Sequence, residues 1–227
     1  MSSTTSECAS ASESSQRVVV FIDEANVYND ARRCFHAPAT SSVDGRFCPD
    51  RYARHLATQT PHGAEGDPRH LAEVRVYTGS PANGKDPKAY GAHRRQRAYW
   101  EKRGAAVMAR PISYRGAIAQ QKGVDVQLAI DVVRMALLDE LDVAIVASTD
   151  TDLVPALDMF HQLPELAGKT AEVAAWKSSR YGGRLQVKSG HLWCHFLGED
   201  VYRSVRDLTN YASGASSKAK KSPPVRT

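Results

Sequence analysis

The stretch from Leu141 to Leu157, LDVAIVASTDTDLVPAL, limits this chain to few folds. Val143 to Ser148 are apolar or small without alternation, which is the pattern of a strand buried on both faces of a parallel sheet. Ser-Thr-Asp-Thr-Asp then ends the run, and Leu153, Leu157 and Phe160 open a helical period. Parallel strands need helical crossovers, so the stretch predicts an α/β fold with a mainly parallel sheet. In such sheets ligands bind at the carboxyl ends of the strands. Two carboxylates, Asp150 and Asp152, stand in this turn. Helix capping accounts for one of them, since Asp accepts N–H groups at the positive helix end. A cap uses one side chain, and this turn offers five. Capping and ligand binding both stand at this point.

The same pattern occurs near the start. Val18-Val-Val-Phe-Ile22 is a β-branched run that predicts a second buried strand, followed by Asp23, Asn26 and a helical period through Val27, Ala31 and Cys34. Asp23 again reads equally as a cap or as a site residue. A third acid comes from the helix predicted over Val124 to Asp139, which is apolar nearly all round. Gln127, Asp131 and Arg134 fall at i, i+4 and i+7 and share one face. That spacing predicts a solvent face, with Asp131 on the surface. Asp125 lies almost opposite, over Leu128, Ala129 and Val132, and is expected to reach the strand ends with the buried stripe.

The remaining segments complete the layers. Short helices or strands are predicted at 50–57, 71–78, 105–112, 170–175, 192–197 and 201–208. The segments 36–48, 58–68 and 178–189 read as loops, the last one basic. Lys85 to Arg103 is a polar helix whose seven bases are interleaved with Tyr90, Tyr99 and Trp100. A solvated face is the ordinary meaning, although bases among rings also suit a nucleic-acid backbone. Residues 1–16 and 212–227 lack an apolar period and predict disorder around one domain at 17–211. The net charge of +5 is raised by the tail bases Lys218, Lys220, Lys221 and Arg226, so the body is mildly basic. That permits a polyanionic partner without requiring one. No apolar run is long enough to span a membrane, and no CxxC pair signals a disulfide framework or zinc site. A reduced cytoplasm is the expectation. His191, Cys194 and His195 sit in a strand-like setting that suggests packing.

If the strands ending at Asp23 and Ser148 are neighbours, Asp23, Asp125, Asp150 and Asp152 converge. Crowded carboxylates repel and raise each other's pKa values, an arrangement suited to a hard divalent cation such as Mg²⁺ or Mn²⁺. Such an ion activates water for attack on a phosphodiester. An aspartyl-phosphate mechanism of the haloacid-dehalogenase type would need a second Asp two residues after Asp23, where Ala25 stands.

Three motifs then carry a resemblance: FIDEAN (21–26), KGVDVQLAID (122–131) and VASTDTDLVP (146–155). In this order they resemble the signatures of NYN domains, which are PIN-like nucleases, and the LabA-like branch is the nearest in pattern. The resemblance covers roughly 17–176. It implies a three-layer α/β/α PIN-like (Rossmann-like) domain, a Mg²⁺ or Mn²⁺ cofactor and endoribonuclease activity. By motif position the site is Asp23, Asn26, Asp125, Asp150 and Asp152, and Asp131 matches a further recurrent acid. Thr149 stands where the family usually has Gly. Arg94, Arg95, Arg97, Lys122 and Ser148 are the expected contacts to an RNA strand. Homo-oligomerisation is compatible with this reading. The alternative is a catalytically weak or inactive NYN module that binds RNA or a protein.

Overall fold

The computed structural model describes residues 15–36, 38, 41–61, 68–115, 119–213 and 215–216. Most of the two terminal segments predicted to be disordered therefore lies outside the described residues. One sheet contains β1 (Gln16–Asp23), β2 (Arg69–Ser80), β3 (Ala105–Pro111), β4 (Val143–Ala147), β5 (Thr170–Trp176) and β6 (Trp193–Leu197). Its order is β3-β2-β1-β4-β5-β6, and every pairing is parallel. Helices α1 (Glu24–Phe35), α2 (Pro49–Ala57), α3 (Pro87–Lys102) and α6 (Glu199–Val205) cover one face; α4 (Val124–Leu137) and α5 (Val154–Gln162) cover the other. This is the α/β/α arrangement that the alternation of strands and helices predicts. A two-residue antiparallel ladder, β7 (Thr209–Asn210) with β8 (Ala215–Ser216), extends paired backbone into residues assigned to the tail from sequence.

The period of two along β1 decides where its acid ends up. Val18, Val20 and Ile22 enter a core with Tyr52, Leu56 and Trp176, beneath α1 and α2. Val19 and Phe21 enter the opposite core with Leu128, Val132 and Leu157, beneath α4 and α5. Phe21 is fully buried, so truncation to Ala would cost about 3–5 kcal/mol. Continuing the alternation, Asp23 leaves the strand on the α4 side. The chain leaves β1 toward β2 on one side and returns to β4 on the other, so the crevice between the carboxyl ends of β1 and β4 is the switch point at which open α/β sheets bind ligands.

At the other end of the sheet a buried charge network holds three strands. The carboxylate of Glu172 on β5 is completely buried, accepting bonds from Arg69 at 2.8 and 3.2 Å and meeting His195 Nε2 at 2.8 Å. Burial alone would raise the Glu172 pKa, but the bonds from His195 and Arg69 outweigh it and hold the carboxyl below its ordinary value. Cys194 packs in the core as its apolar neighbours predict, whereas His195 is the partner of a buried carboxylate and His191 is exposed before β6.

Candidate active site

Asp23 ends β1 and caps α1. One carboxylate oxygen accepts the Asn26 N–H at 3.2 Å, and the other accepts the Ser148 hydroxyl at 3.3 Å. Ser148 follows β4 directly, where the pairing of Ile22 with Ala147 sets it beside Asp23. Its Oγ also accepts the Asp150 N–H at 3.1 Å, and Asp150 caps the next turn by accepting the Asp152 N–H at 3.0 Å. Capping and cavity lining therefore coexist in the same two acids. Asp125 arrives from the first turn of α4, which starts at Gly123 with φ of 72°. That left-handed conformation is easy for glycine and strained for other residues, so the glycine of the second motif fixes where Asp125 enters.

These three carboxylates line one cavity of about 310 Å³, together with Asn26, Asn29 and Gln121. Burial pushes the Asp23 carboxyl up to about 6; the charges of Asp150 and Asp125 add to this, and the bonds from Asn26 and Ser148 oppose it. Next to it, burial pushes Glu24 up to about 7, against the bond donated by the Thr78 hydroxyl at 3.1 Å. The cavity is lined by hard oxygen donors. Mg²⁺ retains several waters and uses only one or two carboxylates in many sites, and Mn²⁺ accepts the same donors. In donor chemistry Asp23, Asp125 and Asp150 suit such an ion, one or two of them at a time. Among the described residues no three His, Cys, Asp or Glu side chains stand close enough to form an all-protein cage, so water or substrate oxygens would complete the shell.

Other expected residues are placed differently. Asp152 is exposed and does not line the cavity. Ser148 is 1% exposed, bonds Asp23 and Asp150, and does not line the cavity. Lys122 is exposed one residue before Gly123 and does not line the cavity. On α3, Arg95 donates to the Tyr211 carbonyl at 2.7 Å, Arg97 to Glu101 at 2.7 Å, and Arg94 lies over the Tyr90 ring. None of the three reaches the acidic cavity.

Asp131 corrects the assignment of a polar outer face to α4. It is 6% exposed and turns inward onto β2. It accepts bonds from the Tyr77 hydroxyl at 2.9 Å, Gln127 at 3.1 Å and Arg75 at 3.3 Å. On a helix apolar nearly all round, three polar residues mark either solvent or a buried partner. Arg75 and Tyr77, on a strand whose facing the periodicity left unassigned, provide the partner. Asp125 reaches the cavity and Asp131 does not, as the facing argument predicts, although its reason for Asp131 fails.

A second network, which no sequence motif announces, lies behind the cavity. The Thr149 N–H donates to Asn26 Oδ1 at 2.9 Å, and its hydroxyl donates to Asp30 Oδ2 at 2.8 Å. Asp30, one turn after Asn26 and 2% exposed, also accepts from the Tyr181 hydroxyl at 3.0 Å and from Arg33 at 3.0 Å. Thr149, where the resembled pattern has Gly, is thus tied to α1 and does not line the cavity. With its Oδ1 occupied, Asn26 keeps its amide N–H groups for a ligand. The only signal in the sequence was the i, i+4 spacing of Asn26 and Asp30.

A parallel α/β/α sheet with acids at its switch point is consistent with a PIN-like domain. The profile of the NYN domain matches residues 17–174. The chain belongs to the NYN domain family, within the PIN-like nuclease superfamily. A solved Vibrio parahaemolyticus protein, described as of unknown function, is similar at 19% identity over 70% of this chain and 81% of its own, with a TM-score of 0.48. No curated protein matches.

Proposed function

We propose that this protein is a divalent-metal-dependent endoribonuclease acting at the cavity between the ends of β1 and β4. The observation that carries the proposal is the convergence of Asp23, Asp125 and Asp150, from three separate elements, on one polar cavity with two asparagine amides. Structural caps account for two of these acids but give no reason for Asp125 to face them. Mg²⁺ or Mn²⁺, held by these carboxylates, would activate water and stabilise charge on the phosphoryl oxygens. The Asn26 amide, oriented by Thr149, would donate to a phosphate oxygen. Ser148 keeps Asp23 and Asp150 in register while the ligand exchanges. A cavity of about 510 Å³ at the far end of α1, lined by Arg33, Lys177 and Arg180 against one acid, Glu199, is compatible with a polyanionic substrate. We assign RNA from the resemblance of the three motifs to the LabA-like branch.

The second reading, a weak or inactive module binding RNA, is favoured by Asp152 lying outside the cavity. Incubation with structured and unstructured RNA and DNA in Mn²⁺, Mg²⁺ or EDTA separates the two. Metal-dependent RNA cleavage, lost in Asp150→Asn with its circular dichroism unchanged, supports the enzyme. Metal-independent activity that persists in Asp150→Asn refutes the proposal, and tight binding without cleavage supports the module.

A further inference from the structure

The side of α1 that meets the acidic cavity continues beyond it. Asn26, Asn29 and Arg33 fall at i, i+3 and i+7 and so share one side of the helix. The first two line the acidic cavity; Arg33 lines the cavity of about 510 Å³ between the end of α1, the loop after β5 and the start of α6. The helix carries the chain about 10 Å from Asn26 to Arg33. Asp30, on the same side, ties the two places together: it accepts from Thr149 at 2.8 Å, Tyr181 at 3.0 Å and Arg33 at 3.0 Å.

This second cavity holds more positive charge than its own acids neutralise. Arg33 is matched by Asp30, and Glu199, the one acid in the lining, is held by Arg203 at 2.7 Å. Lys177 and Arg180 have no carboxylate partner among the described residues; Lys177 lies 4.6 Å from the centroid of the Phe196 ring. Both are set by local structure. The Ser178 hydroxyl accepts the Arg180 N–H at 3.3 Å and the Tyr181 N–H at 3.1 Å, closing the turn that carries Arg180. The stem of Lys177 packs on Gly182, where a Cβ would stand 3.1 Å from its Cγ. Arg33 uses only Nη1 on Asp30 and Tyr181, which leaves Nε and Nη2 for the paired bonds that a guanidinium makes to phosphate.

We propose that this cavity is the second phosphate site for a nucleic-acid strand lying along the exposed side of α1. One phosphate of the strand sits over the acids, and a neighbouring phosphate enters among Arg33, Lys177 and Arg180. The inference rests on the proposed function only for what occupies the acidic cavity.

Anisotropy of labelled single-stranded RNA with the full chain in EDTA tests it, so that the result does not depend on cleavage. Lys177→Glu and Arg180→Glu should each weaken binding about tenfold and flatten the log–log salt slope by about 0.7. Circular dichroism should stay unchanged, since both side chains are exposed. Lys102→Glu, at an exposed base ending α3, is the control and should do much less. A chain that binds no RNA, or that loses as much with Lys102→Glu as with either cavity reversal, overturns the proposal. Calorimetry with inorganic pyrophosphate distinguishes a free anion: reversals that abolish its binding yet leave RNA affinity at the control level also overturn it. Metal-dependent cleavage by a chain whose cavity reversals match the control would refute this inference alone. RNA binding that the reversals weaken, in a chain that never cleaves, would refute the nuclease reading alone.

Discussion

Replacing Asp23 by Asn should make the metal-free protein more stable at neutral pH. The Asp23 carboxyl is 9% exposed and faces the charges of Asp150 and Asp125, so its pKa rises from 3.8 to about 6. A group whose folded pKa is raised adds stability below its unfolded value, and that contribution is lost as pH rises through the folded value. The window here runs from 3.8 to about 6. Two units correspond to about 3 kcal/mol, an upper bound because the site can relax or admit water. Asparagine keeps an oxygen to accept the Asn26 N–H, so the cap on α1 survives. Urea unfolding in EDTA, at steps from pH 4 to 8, should show little difference between variant and wild type at the acid end. The variant's advantage should grow to about 1–3 kcal/mol by pH 7, or up to roughly 10 °C in melting temperature for a chain of this size. Added Mn²⁺ should reverse the order by stabilising only the wild type. A difference that stays flat across the pH range would refute the reasoning, since no charge penalty would then be relieved.

Further outcomes follow from the same geometry. Asp131→Asn should lower stability by about 1–3 kcal/mol, because Arg75 loses a buried carboxylate, while Mn²⁺ titration finds metal binding unchanged. Glu172→Gln should destabilise by about 3–5 kcal/mol, read from urea midpoints. Because its pKa is held low, the wild-type advantage over that variant should shrink as pH falls through and below the ordinary 4.5. Thr149→Val and Tyr181→Phe both remove bonds to Asp30, and a double-mutant cycle should give a coupling of about 0.5 kcal/mol or more.

The sheet was legible because its central strands are uniform apolar runs. VVVFI and VAIVA have one interpretation at their length, and the polar turn after each marks the carboxyl edge. Asp23 and Asp150 followed from that edge, and Asp125 from the facing of α4 against its own stripe. Asp152 was not separable from Asp150, because a 3-10 turn rotates it into solvent and no periodicity announces such a turn. Asp131 looked like surface because the sequence of one helix does not report that Arg75 and Tyr77 stand opposite. The same limit hid which side of α4 is exposed. On a helix apolar on all sides, Val126 and Ile130 resemble Leu128 and Val132, and only packing separates them. Thr149 and Asp30 lie far apart in sequence, and their bond exists only once β4 and α1 are neighbours.

The strand order has a consequence for motion. The acids stand at the tips of β1 and β4, the two innermost strands, whose amides are shielded by a strand on each side and a helix layer above and below. Their backbone should be among the last to exchange hydrogen with solvent, at a free energy near that of global unfolding. Loop 178–189 and the edge strands β3 and β6 should open long before. Any ligand of the acidic cavity would therefore meet a floor that does not yield, so adjustment to its shape falls to the surrounding loops and to the ligand itself.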